Sequence, residues 1–140
     1  MARRQFKPGA VQAFATTQAR KEVRSCTAAV NRRARRNAPG GSYSTGRLKA
    51  SINWSMRTVG WSVVGESGSE LIYARSVHEG QPARVITPKR APYLDFYWRK
   101  VGRRVQLGRV NHPGTAPQPY LAQALLTEAP KYGFKVIIYR

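Results

Sequence analysis

From Ala10 to about Arg36 the apolar positions recur in steps of three and four: Val11, Phe14, Ala15, Ala19, Val23, Cys26, Val30 and Ala34. That spacing draws one stripe down a helix, with Arg20, Lys21, Arg24 and Arg35 on the other side, and predicts a long amphipathic helix over residues 10–36. "NAPGG" stops it, because Pro39 disfavours a helical Ala38 and the two glycines release the chain. The stretch that follows, "GGSYSTG", reads as a flexible loop, placed at residues 37–47.

Past the loop the period drops towards two. In "RLKASINWSMRTVGWSVVGES" the residues Ile52, Trp54 and Met56 alternate with polar ones, Trp61 and Val63 resume the pattern, and Val59-Gly60 is the expected turn of an antiparallel pair. "LIYARSVHEG" is ambiguous between helix and strand. "ARVITP", "YLDFYW" and "RRVQLGRV" are rich in β-branched or aromatic residues and are separated by Pro88, Pro92 and Gly102, which predicts a meander or an extended hairpin. A helix is expected from about Pro119 to Glu128, with Pro119 preset for the first turn and Pro130 ending it, then "FKVIIYR" as a final strand.

This order predicts an α+β class: a long N-terminal helix packed on an antiparallel β-sheet, with a second short helix and a C-terminal strand. Residues 1–140 are expected to form a single domain. Within it, residues 1–9 would be a mobile N-terminus, and residues 48–140 would hold the sheet with the C-terminal helix and strand. No internal repeat or low-complexity tract interrupts it.

Composition adds a charge to be accounted for. The 41% hydrophobic fraction, with three Trp and seven Tyr, separates the chain from disordered compositions, but 25 Lys+Arg face only 6 Asp+Glu, a net charge of +19. Such a molecule repels its own copies and attracts polyanions or an acidic protein surface, and charge alone does not choose between those partners. The cluster "NRRARR" fits a helix end, where cations complement the dipole, and equally fits a polyanion contact. No apolar run reaches the length of a signal sequence or a membrane span, so a soluble chain, cytoplasmic at synthesis and without a membrane partner, is expected.

Chemistry-bearing constellations are missing from the sequence. Cys26 is the single cysteine, which excludes an internal disulfide and a cysteine-based zinc site, and its place in the apolar stripe predicts a buried, inert thiol. His78 and His112 have no second ligand at metal-binding spacing. Glu22, Glu66, Glu70, Glu79, Asp95 and Glu128 are scattered, and no phosphate-binding glycine loop occurs. No enzyme, catalytic residue, cofactor or metal is expected.

The segment "NHPGTAPQPYLAQALLTEA" stands apart because it is poor in charge. Pro113-Gly114 fits a tight turn, Pro117 and Pro119 fix the entry to a helix, and Tyr120, Leu121, Ala124 and Leu125 form an apolar face that locks the helix onto the sheet. These residues read as a structural joint comprising His112, Pro113, Gly114, Pro119, Tyr120 and Leu121.

Taken in order, "STGRLKASI", "YARSVHEG", "ITPKRAPYLDFYW" and "RVNHPGTAPQPYLAQAL" resemble the tail-component family of tailed bacteriophages typified by gene product 10 of phage HK97. The resemblance covers about Asn37 to Leu126; Tyr120 stands where that family commonly has Phe, and "HEGQP" replaces its usual "EFGT". It implies a neck, or tail-completion, protein of the virion: a ring of six or twelve copies at the head–tail junction, assembled in the host cytoplasm. Its neighbours would be head-closure or adaptor proteins and tail-terminator or tail-tube proteins, with phage DNA passing through the channel. On that reading Arg32, Arg33, Arg35, Arg36, Tyr43, Arg47 and Leu48 are candidate subunit or layer contacts. Arg99, Lys100, Arg103 and Arg104 of "WRKVGRR" are candidate DNA-facing residues. Two alternatives stay open: a nucleic-acid-binding module that stacks bases on Tyr93, Tyr97 and Trp98, and a tail terminator or minor tail protein of the same fold.

Overall fold

The computed structural model describes residues 8–40 and 45–138. Helix α1 spans Pro8–Asn37, and the predicted stripe holds along its C-terminal half, where Cys26, Val30 and Ala34 are buried. The other half keeps its stripe uncovered: Phe14 is 74% exposed, and Ala15 and Ala19 are exposed too. Tyr43 and residues 1–7 lie outside the described residues; Pro8 and Gly9, expected in the mobile N-terminus, already belong to α1.

Gly46, at φ 73°, starts the short helix α2, Arg47–Ser51, which delivers Leu48 and then Ile52 into the core. Strands β1 (Ile52–Val59) and β2 (Ser62–Ser69) pair antiparallel, Ile52 opposite Ser69 and Val59 opposite Ser62, with the turn where the alternation placed it. α1 packs on both strands and on the later helix α4 (Tyr120–Glu128). Two polar stitches fix that seat: Arg35 Nε donates to the Ile52 carbonyl at 2.8 Å, and Ser67 Oγ donates to Asn31 Oδ1 at 2.9 Å.

The ambiguous "LIYARSVHEG" contains a helix, α3 (Ala74–Glu79), which buries Ala74. The chain then runs out and back as one extended hairpin. β3 (Arg84–Ile86) pairs with β6 (Val110–His112), and β4 (Leu94–Trp98) pairs with β5 (Arg103–Leu107). A bridge between Gln81 and Thr115 closes the base. Register shifts between the two ladders because residues 87–93 on the outgoing side face only residues 108–109 on the return. So the β-rich segments make an arm with a kinked register, and the expected sheet is three separate two-stranded ladders.

α4 follows, then a 3-10 turn over Ala129–Tyr132. The predicted C-terminal strand does not form: Phe134–Ile138 joins no ladder, and Ile137 and Ile138 are exposed. Its β-branched residues suit a pleated surface, but that preference takes effect only beside a neighbouring strand, and this segment pairs with none of the described strands. The core itself is small-sided. Cys26, Val30, Leu48, Ile52 and Tyr120 are packed among Ala34, Ala38, Ala74, Ala124 and Ala129, and among the described residues Tyr120 and Ile52 are the largest fully buried side chains. The chain exposes 11392 Å², against about 7,300 Å² for a compact monomer of its mass.

Candidate functional site: a joint at the base of a basic arm

The end of α3 and the start of α4 are far apart in sequence and meet beneath the arm. Gln81 and Thr115 exchange backbone bonds, Gln81 N donating to Thr115 O at 2.9 Å and Thr115 N to Gln81 O at 2.8 Å. Gln118 N donates to the Val77 carbonyl at 3.1 Å. Gly80 (φ 77°) and Gly114 (φ 88°) sit on either side of this bridge in backbone conformations that side chains rarely adopt. A Cβ on Gly80 would lie 2.6 Å from Thr115 O, and one on Gly114 would lie 2.7 Å from Gln81 O. The two glycines thus let the strands of the arm's base touch.

Helix α4 starts at this joint without a side-chain cap of its own, since its cap residue is Pro119. His78 replaces it from α3: Nε2 accepts from Ala122 N at 3.4 Å, filling one of the first-turn donors a helix leaves open. The same imidazole meets Tyr120 edge-on with ring centroids 5.4 Å apart. His112 Nδ1 accepts from Gly114 N at 3.0 Å, which ties the turn to β6. Of the predicted joint, His112, Gly114, Pro119 and Tyr120 form it directly, Leu121 packs against the core beside them, and Pro113 is exposed within the turn. His78 and Gly80 are the members that the sequence did not single out for this role.

The candidate contact residues divide. Arg32, Arg36 and Arg47 are exposed. Leu48 is a core residue, not a contact, because α2 turns it under α1. Arg35 is held on β1, with Nη2 donating to Asn53 Oδ1 at 3.1 Å. Arg33 faces the Glu128 carboxylate at 4.0 Å, and Lys131 donates to it at 3.0 Å. Arg33 and Arg35 therefore tie the end of α1 to its neighbours within the chain. The positive surface near Glu128, with the Lys131 hydrogen bond first among its causes, holds this carboxyl below its usual 4.5. A depressed carboxyl stabilises the fold above its ordinary pKa and loses that contribution as pH falls through the lowered one. The thermal midpoint is expected to drop below about pH 4.5, and Glu128→Gln should flatten that acid limb in a melting series from pH 6 to pH 3.

Of the candidate DNA-facing residues, Arg99 and Lys100 occupy the exposed tip of the arm, and Arg103 is exposed on β5. Arg104 reaches across to Asp95 at 2.6 Å, which lowers that carboxyl. Tyr97 lies opposite Arg104, whereas Trp98 lies opposite Arg103 on the other face, so Tyr97 and Trp98 do not make one stacking surface.

Among the described residues no group of three His, Cys, Asp or Glu side chains is placed to hold a metal, and no helix is long and apolar enough to cross a membrane. Cys26 is buried, and burial followed by the nearby Glu128 charge raises its thiol pKa, away from the thiolate a nucleophile requires. A groove of about 730 Å³ between α1, β2, α4 and the C-terminal segment is lined by Val23, Val30, Val63, Leu121 and Leu125, together with His78, Phe134, Lys135 and Val136. No family model, curated protein or solved structure matches the chain.

Proposed function

We propose that the chain is a non-enzymatic structural subunit of a tailed-phage neck, forming a ring of six or twelve copies that joins the DNA-filled head to the tail. One observation carries the assembly part: all three tryptophans are exposed, Trp54 at 36%, Trp61 at 76% and Trp98 at 44%. Trp is enriched where proteins meet proteins, and a lone chain gains nothing by leaving this much aromatic surface wet. The bare first half of α1 adds to the same surplus. Repeated head-to-tail contact between such elements closes a ring when the rotation allows it.

The neck rests on the family resemblance, and the fold gives its sequence blocks a common purpose. "STGRLKASI" supplies Gly46, Leu48 and Ile52, "YARSVHEG" supplies Ala74, His78 and Gly80, and "HPGTAPQPYLAQAL" supplies Gly114, Tyr120 and Ala124. These are core and joint positions, the ones a fold signature would hold. A ring multiplies the +19 of each copy, so its neighbours must bring negative charge, as acidic head-closure or tail proteins or as DNA in the channel.

Electron microscopy of lysates from the encoding phage with this gene deleted tests the proposal. Full heads beside finished, separate tails, rescued by the intact gene, are expected. Joined particles would overturn it, and missing or overlong tails would reassign the chain to tail termination.

A further inference from the structure

The geometry points to the β3–β6 arm as a docking element for a different protein, one that offers an apolar cleft rimmed by carboxylates. The inference rests on the assembly reading only in supposing a protein partner.

The arm's outer ladder has one apolar face. Leu94, Phe96 and Trp98 alternate along β4, and Leu107 and Val105 stand opposite the first two. Phe96 is 36% exposed, and its ring lies 6.5 Å from that of Trp98. Two-stranded ribbons are marginal in water on their own, and a sheet's apolar face is stable only when something covers it. The cover must also suit the charge. From Arg84 to His112 the arm carries eight Lys or Arg and a single acid, Asp95, which Arg104 already engages.

A second copy of the chain does not meet that requirement. It has only six acids, and Glu66, Glu79, Asp95 and Glu128 are held by Arg57, Arg75, Arg104 and Lys131 of the same chain. Two arms, or an arm and another copy's surface, would bring like charge together. Duplex DNA supplies the negative charge but keeps the faces of its bases stacked inside, so the Phe96–Trp98 strip would stay wet. An acidic protein cleft satisfies both demands, and the Tyr, Trp, Phe and Arg content of the arm is that of an interface hot spot.

The test uses the full chain carrying Trp54→Phe and Trp61→Phe, so that Trp98 is its only tryptophan. Three probes are titrated at physiological salt: an alternating Glu-Leu peptide, a poly-Glu peptide of equal charge, and a 20-base-pair duplex. Expected are a blue shift of Trp98 emission and binding of the Glu-Leu peptide about ten-fold tighter than of poly-Glu, as covering one apolar side chain warrants. Adding Phe96→Thr and Val105→Thr, which keep strand-forming residues on an exposed face, should abolish the preference while leaving poly-Glu binding in place. Equal affinity for the two peptides would overturn the proposal, as would no binding of either. Tighter duplex binding that falls steeply with salt would assign the arm to nucleic acid instead. The outcome is independent of the deletion phenotype, so the docking proposal and the neck proposal fail separately.

Discussion

Gly114→Ala is expected to lower the thermal midpoint of the full chain by roughly 5–15 °C, the shift that a loss of about 2–4 kcal/mol produces in a domain of this size. Two effects combine. An L side chain at φ 88° is strained wherever it stands, and here the added Cβ would also lie 2.7 Å from Gln81 O and 2.9 Å from Ala83 N. Both contacts are with backbone, which cannot swing aside as a long side chain does. Relief requires the Gln81–Thr115 bridge to open, and that bridge sets the direction in which the arm leaves the body. Gly80→Ala should do similar damage, since its Cβ would meet Thr115 O and Pro117 N across the same bridge. The double variant should lose less than the sum, because either change opens the one junction. Gly108→Ala is the control: it lies in the arm, has no positive φ and would touch nothing within 4 Å. Differential scanning calorimetry decides it, and a Gly114→Ala midpoint equal to that of Gly108→Ala would show that the joint yields.

The joint also shows which features the sequence makes legible. Turn chemistry and helix periodicity are local, so Pro113-Gly114, the Pro119 entry and the Tyr120, Leu121 and Ala124 face were visible in a single charge-poor stretch, although Leu125 of the expected face is exposed and the helix packs on α1 and not on the sheet. The β1–β2 hairpin was visible for the same reason. His78 was not, because its role as the cap of α4 comes from Ala122, distant in the chain, and its own segment fits helix and strand equally. Arg33 and Arg35 looked like partners for another molecule because a basic run gives no sign of Glu128 or the Ile52 carbonyl. "FKVIIYR" misled in the opposite sense: its residues favour a strand, but a strand needs a partner brought alongside it, and local composition does not say whether one is. The stripe on α1 was read correctly as a pattern. Phe14, Ala15 and Ala19 in its first half are exposed among the described residues, and only the folded molecule shows that the same periodicity serves the core at one end and remains exposed at the other.

Tyr120→Ala is expected to cost about 3–5 kcal/mol, the range for emptying a large aromatic site in a packed interior. Tyr120 is 1% exposed and, with Ile52, is one of the two largest fully buried side chains among the described residues, so its loss would open a void in a core built otherwise mostly of alanine. His78 would lose its edge contact as well, loosening the cap on α4. Tyr120→Phe should behave quite differently. The phenol oxygen is buried and has no hydrogen-bond partner among the described residues, so removing it deletes a desolvated polar atom and leaves the packing intact. Stability at neutral pH is expected to stay level or to rise by up to about 1 kcal/mol. The phenol also has a signature in alkali. Burial, followed by the charge of Tyr73, raises its pKa above 10.0. A raised acid keeps its full contribution below the unfolded pKa and loses it as pH climbs through the folded one. Wild type should therefore weaken from about pH 10 upward, and Tyr120→Phe should weaken less. Urea denaturation of the three proteins at pH 7 and pH 10.5 separates these effects. If Phe and Ala cost the same at pH 7, the hydroxyl and not the ring holds the joint, and the packing account of α4 is wrong.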